Sequence, residues 1–284
     1  MKIALQIPDF TTPGGPATLG PELARVARVA DEAGFEAIAV MDHFFQIGGV
    51  GPPENEMLEA YTTLGFLAAH TTRAQLVTVM TGVVYRHPGI LIKQVSTLDV
   101  LSGGRAMLGI GAAWNEDESR GLGVPFPPVA ERFERLEETL LIAQQMFDGD
   151  ESPIEGRHYQ LGRPLNSPAP LHRVPIMIGG GGEKKTLRMV AKYAQACNLF
   201  PGPELARKLD VLKEHCEREG RDYDEIHKTS ISSLDPTASV AELVEPLSEL
   251  AAVGIEMVYV NTSNLWEPGR VEQLAKLVPA VADL

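Results

Sequence analysis

Residues Gly89-Ile90-Leu91-Ile92-Lys93-Gln94-Val95-Ser96-Thr97-Leu98-Asp99-Val100-Leu101-Ser102-Gly103-Gly104-Arg105-Ala106-Met107-Leu108-Gly109-Ile110-Gly111 set a helix and a strand back to back. The pattern predicts a helix over 89–101 and a strand over 105–110. Moving toward the N-terminus, strands are expected at 76–80, 36–41 and 3–7, separated by helices at 57–72 and 21–34, with Gly34 as a C-terminal stop. Moving toward the C-terminus, a helix over 129–147 carries Phe133, Leu136, Leu140, Ala143 and Phe147 on one face and Glu131, Glu134, Arg135 and Glu138 on the other. Strands at 175–178, 196–200, 226–232 and 255–261 then alternate with helices at 183–194, 203–220, 240–253 and 268–281. Eight strand–helix pairs with no linker halfway predict a single-domain α/β fold over 1–284, a (β/α)8 TIM barrel. An open doubly wound sheet of the Rossmann type calls for GxGxxG after its first strand, and Ile7-Pro8-Asp9-Phe10 stands there instead. Residues 148–173 break the rhythm with closely spaced glycines and prolines and read as an insertion, a loop or small hairpin, between strands 4 and 5.

Composition narrows the function classes. A net charge of −13 spread along the chain argues against nucleic acid, which needs a concentrated cationic face. Apolar runs near 60–72 and 74–85 are interrupted by Arg73 and fall short of the roughly 18 residues of a membrane helix. Met1 and Lys2 lead straight into a strand rather than a signal peptide, and the two cysteines, Cys197 and Cys216, form no CxxC pair. A soluble cytoplasmic protein without structural zinc is therefore expected. Glycines number 27 and prolines 21, a density that means many turns.

In a barrel of this kind the chemistry sits where the strands end at their C-termini. After the second strand, Asp42 and His43 stand side by side: a carboxylate and an imidazole able to orient a ligand and move a proton, or a loop-capping Asp next to a packed His. After the third comes Thr81-Gly82-Val83-Val84-Tyr85-Arg86, where Gly82 marks either a close backbone approach to a ligand or a simple turn. The fourth ends in Gly109-Ile110-Gly111-Ala112-Ala113-Trp114, small residues that let a ligand lie against backbone with Trp114 as a wall, or that serve tight packing. The fifth ends in Gly179-Gly180-Gly181-Gly182 before a helix containing Thr186. Consecutive amides at a helix N-terminus suit a phosphate, although GKS or GKT spacing is missing, and a flexible loop is the alternative.

Taken together, these pieces resemble the bacterial luciferase-like family of flavin and deazaflavin oxidoreductases. The resemblance is carried by Asp42-His43-Phe44, by Thr97 to Arg105 leading into Leu108-Gly109-Ile110-Gly111, by Gly121 to Phe126 with Arg132 to Glu138, and by Gly179 to Gly182. It implies a (β/α)8 barrel with an insertion, usually a homodimer. Within the family, Ala112 and Ala113 stand where FMN members often place an arginine for the phosphate, which leans toward coenzyme F420, with FMN the alternative. The likeness further implies that Asp42 and His43 border the coenzyme ring, that Gly82-Val83 forms a non-prolyl cis bulge behind it, and that Gly180 to Gly182 with Thr186 hold its phosphate. The sugar-phosphate dehydrogenase branch carries a glutamate at the place of Trp114, and Glu116 and Glu118 lie further along, so that substrate is not implied. The expected activity is F420-dependent hydride transfer to or from a small organic molecule, with His43 as proton partner. Rivals are an FMN-dependent monooxygenase and a non-catalytic coenzyme binder. A Schiff-base lyase lacks its strand-end lysine, since Lys184 and Lys185 follow four glycines and Lys93 lies within a helix.

Overall fold

The computed structural model describes residues 1–284. Its eight principal strands are β1 (Lys2–Ile7), β2 (Ala37–Val40), β3 (Gln75–Thr78), β4 (Ala106–Gly111), β5 (Ile176–Gly179), β6 (Ala196–Leu199), β7 (His227–Leu234) and β8 (Met257–Thr262). They run parallel in the order β3-β2-β1-β8-β7-β6-β5-β4, and β4 pairs back onto β3 through Leu76↔Ala106 and Val77↔Met107, closing the barrel. Helices α1 (Pro16–Ala33), α2 (Ala60–Ala68), α3 (Pro88–Ser102), α4 (Glu116–Gly121), α5 (Val129–Phe147), α6 (Thr186–Tyr193), α7 (Leu205–Glu219), α8 (Val240–Ala252), α9 (Arg270–Ala275) and α10 (Leu277–Ala280) supply the crossovers and the outer ring. Between α5 and β5, Ile154–Glu155 and Gln160–Leu161 pair as a short antiparallel hairpin.

The apolar surface divides into two bodies, as a closed sheet requires. The larger lies between strands and helices and holds Leu5, Ile38, Leu76, Leu108, Ile178 and Val258 from the strands against Leu23, Leu64, Ile92 and Leu140 from the helices. The smaller fills the barrel's interior: Ala4, Ala37, Ala39 and Ala196 face Val77, Met107, Met177, Met257 and Tyr259. Alternation along each strand sends successive side chains to opposite faces, so one strand feeds both bodies.

The departures from expectation are local. Helix α1 begins at Pro16 rather than 21, with Gly15 in the left-handed region and Pro16 suited to a first turn. Helix α2 is shorter than expected because Glu59 caps it, accepting from the Thr62 N–H at 2.7 Å. The last helix divides at Lys276 into α9 and α10. The expected cis bulge at Gly82-Val83 is not there: the non-prolyl cis bond is Val79–Met80, immediately past the end of β3. Gly82 instead pairs in register with Gly111, and the Val83 N–H donates to the Gly111 carbonyl at 3.1 Å, so ordinary parallel pairing holds that dipeptide.

The connection from α2 to β3 is fixed by one carboxylate from α1. Asp31 accepts from the backbone N–H of Thr72 at 2.9 Å, Arg73 at 2.9 Å and Ala74 at 2.7 Å, and from the Thr72 hydroxyl. Burial opposes its ionisation, but these donors outweigh burial and hold its pKa below the ordinary carboxylate value. A folded-state pKa below the unfolded one means stability that is full above about pH 4 and is lost as pH falls through the folded value. Asp31→Ala is expected to cost roughly 1–3 kcal/mol in denaturant unfolding at neutral pH, because three backbone amides, that of Ala74 buried, lose their acceptor. The difference from the parent should shrink as the pH is lowered below 4; a gap that is the same at pH 7 and pH 3 contradicts the assignment.

Candidate active site

The C-terminal ends of the strands open into a cavity of about 450 Å³. Of the residues singled out in the sequence, Asp42, His43, Gly82, Gly111, Ala112, Ala113, Trp114, Gly179, Gly180, Gly181, Gly182 and Thr186 line it. Val83 and Gly109 do not. Val83 is buried in the outer core. Gly109 lies against the neighbouring end of β3, and a Cβ there would collide with the Thr78 carbonyl oxygen. Thr78 in turn donates from its hydroxyl to the Gly109 carbonyl at 2.9 Å, so this glycine serves strand packing.

Where β2 ends, two adjacent side chains take up different tasks. Asp42 is buried and receives both arms of the Arg86 guanidinium, at 2.7 and 2.9 Å, plus the Gly82 N–H at 3.2 Å. Arg86 also pairs with Glu59 and lies 4.9 Å from the centre of the Tyr61 ring. Burial pushes the Asp42 pKa up, the Arg86 charge and bonds and the Gly82 amide oppose that rise, and the bidentate pair fixes the turns after β2 and β3 against each other. His43 turns the other way, and its Nδ1 lies 2.6 Å from Glu118 Oε1.

Glu118 is the functional residue that sequence reasoning missed. It sits in α4, completely buried, and accepts from four donors: His43 Nδ1, the Phe44 N–H at 2.6 Å, the Phe45 N–H at 3.3 Å and the Tyr85 hydroxyl at 2.6 Å. Burial pushes its pKa up, and the bonds from His43 and Tyr85, the charge of His43 and the Phe44 amide together pull it below the usual carboxylate value. Burial, with Glu118 as partner, pushes the Tyr85 phenol up, so it stays protonated and donates. A carboxylate so supplied with donors is an anion, and the His43 nitrogen facing it carries a proton. That leaves Nε2 of the imidazole without a protein partner. The imidazole ring meets Trp114 edge-on with centroids 5.4 Å apart. Ala113 adopts φ +59, a left-handed conformation uncommon for a residue with a Cβ, at the turn just before Trp114.

The glycine-rich stretch after β5 divides into two parts. Gly179 makes room for protein, since the Met80 Cγ lies 2.5 Å from where its Cβ would stand, whereas a Cβ at Gly111 would meet Met80 Cβ at an ordinary contact distance of 3.7 Å. Gly180 takes φ +117 and turns the chain toward α6. Beyond it, the amides of Gly181 and Gly182 donate to no backbone carbonyl, and the Thr186 hydroxyl lies 2.9 Å from the Cβ position of Gly182. Lys208, from α7, reaches across so that its Nζ is 2.7 Å from the Cβ position of Gly181. Free amides, a hydroxyl, a helix N-terminus and an ammonium at one spot are the donor set of an anion site, and side chains at 181 and 182 would fill it.

Other lining residues carry no sequence signal of their own: Gln6, Met41, Ile47, Phe133, Asn198, Phe200 and Ile231. Cys197 is no nucleophile, since burial pushes its thiol up to about 12. No grouping of His, Cys, Asp and Glu is arranged to hold a metal ion, and no helix is long and apolar enough to cross a membrane.

The chain is similar to proteins of known kind at both levels. An F420-dependent glucose-6-phosphate dehydrogenase of Microbacterium testaceum is 32% identical over 92% of this chain and 77% of its own length. The protein of that name from Kineococcus radiotolerans is 29% identical over 91% and 76%. Among solved structures, an F420-dependent secondary alcohol dehydrogenase in complex with an F420–acetone adduct superposes with a TM-score of 0.83, covering 99% of this chain and 98% of that one, at 15% identity. A riboflavin lyase with modified FMN and riboflavin superposes at 0.82 with 13% identity over 100% and 91%. At such identities the superpositions speak for the fold alone. The sequence model of the luciferase-like monooxygenase family matches residues 1–268, and with that span covered the chain belongs to this family.

Proposed function

We propose that the protein is an oxidoreductase that moves a hydride between coenzyme F420 and a small organic substrate, with His43 as the proton partner. The observation that carries this reading is the imidazole at the cavity edge, anchored at Nδ1 by buried Glu118 with Nε2 unengaged. The F420-dependent relatives that align over 91% and 92% of the chain support the coenzyme.

The residues present fit such a coenzyme. The anion site at Gly181, Gly182 and Thr186, with Lys208 above it, suits a phosphate, and the small residues Gly111, Ala112 and Ala113 leave room for a ring system beside His43, whereas the Tyr85 ring fills the space beside Gly82. When bound, the deazaflavin supplies a carbon that accepts or gives up a hydride. The chain supplies position and proton traffic. With Nδ1–H held by Glu118, a neutral His43 offers the Nε2 lone pair to a substrate hydroxyl, and in the reverse direction the protonated ring donates to a carbonyl oxygen. Asp42 acts through Arg86 and Gly82 to keep the rim turns in place. Val83 and Gly109 shape the wall from behind. The same reading makes the protein a cytoplasmic homodimer with neither nucleic acid nor membrane as partner, in keeping with the charge of −13.

Titration with F420 and, separately, with FMN tests the coenzyme, followed by the fluorescence of Trp114, since the other tryptophan, Trp266, is buried. Saturable quenching by F420 is expected; tight FMN binding without a response to F420 overturns the reading. His43→Ala is expected to lower kcat by roughly 10²- to 10⁴-fold with F420 affinity within a few-fold of the parent. Glu118→Gln keeps the size but removes the anion, and it should lower kcat less than His43→Ala while costing roughly 1–3 kcal/mol in unfolding free energy. Parent-like kcat in both variants reduces the pair to packing.

A further inference from the structure

The cavity that would receive the substrate contains no lysine or arginine in its lining. Three cations that adjoin the lining residues are engaged elsewhere, and Arg132, beside Phe133, lies 4.0 Å from the centre of the Phe126 ring. Arg86 lies behind Asp42 in a bidentate pair. Lys185 sits over the Phe133 ring, 5.2 Å from its centre. Lys208 stands at the Gly181 turn, where the coenzyme's own phosphate is proposed to bind. A dianionic substrate would therefore enter without a counter-charge, into a protein whose net charge of −13 already repels it.

What the mouth does offer is apolar. Trp114 and Phe200 both line the cavity and yet are 64% and 69% exposed, an unusual state for two large aromatic side chains at one opening. Ile47 and Phe133 complete the apolar rim. The single unengaged proton-transfer group facing this surface is His43 Nε2.

From this juxtaposition we infer that the substrate is an uncharged alcohol bearing an apolar group, or the carbonyl compound formed from it, and not a sugar phosphate. The inference rests on the coenzyme reading above and adds the substrate class. The apolar group packs between Trp114 and Phe200 while the hydroxyl meets His43. In oxidation the carbinol C–H bond breaks and its electron pair leaves as hydride to the oxidised deazaflavin; the O–H proton passes to Nε2 of neutral His43, and the C=O bond forms. The alcohol is oxidised and the coenzyme reduced, and the reverse step reduces the carbonyl compound. Named relatives act on glucose 6-phosphate, so the structure assigns this chain a different specificity from theirs.

Two measurements test the inference, one of them without coenzyme. In the apoprotein, 1-phenylethanol is expected to perturb Trp114 fluorescence saturably, with an apparent Kd about tenfold weaker in Phe200→Ala, and glucose 6-phosphate is expected to cause no change. With F420 present, a series of 2-alkanols should be turned over with KM falling as the chain lengthens, by roughly three- to fourfold for each added methylene that is buried. Glucose 6-phosphate should give no F420 reduction. Turnover or saturable binding of glucose 6-phosphate, or a KM indifferent to chain length and to Phe200→Ala, overturns the substrate class. Absence of F420 binding with intact 1-phenylethanol binding instead removes the coenzyme reading and leaves the apolar site standing.

Discussion

A carboxylate with no access to water holds the rim of this barrel together. Glu118 comes from the helix after β4, and its donors come from the turn after β2 (His43, Phe44, Phe45) and the turn after β3 (Tyr85). An anion removed from solvent is tolerated only if its lone pairs are filled, so the three loops must hold one arrangement for as long as the fold persists. Beside it, Asp42 and Arg86 form a second buried assembly that engages Glu59 from the chain entering α2. The imidazole that faces the cavity is thereby fixed by its neighbours, and its orientation needs no ligand.

Below the rim, the interior is filled unevenly. Strands β1, β2 and β6 contribute alanines and β4, β5 and β8 contribute methionines and Tyr259, whose hydroxyl reaches the Met177 sulfur at 3.8 Å. The plug closes the barrel from beneath, so the strand ends, through Gln6, Gly111, Gly179, Asn198 and Ile231, shape the cavity together with the rim loops. This is the division of labour expected of a barrel: strand bodies for stability, strand ends and the loops there for chemistry.

The alternation of short strand and longer amphipathic helix was legible throughout, because period 2 and period 3.6 are local signals written in successive side chains. Helix α5 illustrates this, with its bounds at Val129 and Phe147 as expected. The site was legible where it depends on chain order, at the strand ends that carry Asp42, His43, Gly111 and the Gly180–Gly182 turn. It was illegible where it depends on pairs distant in sequence. Glu118 reads as one of three acidic residues opening a helix, a favourable place for any carboxylate, and nothing nearby signals that it alone points inward. The partnership of Asp42 with Arg86 spans 44 residues and leaves no local trace. The cis bulge that the family likeness implied at Gly82-Val83 lies instead at Val79–Met80, and Gly82 is held in the ladder with Gly111.

The glycines at strand ends differ in what they accommodate, and for two of them the neighbour is the Met80 side chain. Gly111 and Gly179 flank it, and neither lies in a left-handed conformation that would itself demand glycine. Positions 80 and 179 are therefore coupled through bulk, while a Cβ at 111 would touch Met80 only at ordinary contact distance. An alanine at 179 is blocked while methionine remains at 80 and becomes admissible once residue 80 is small. Descendants of this sequence can exchange bulk between the two strand ends, but only in an order that empties position 80 first.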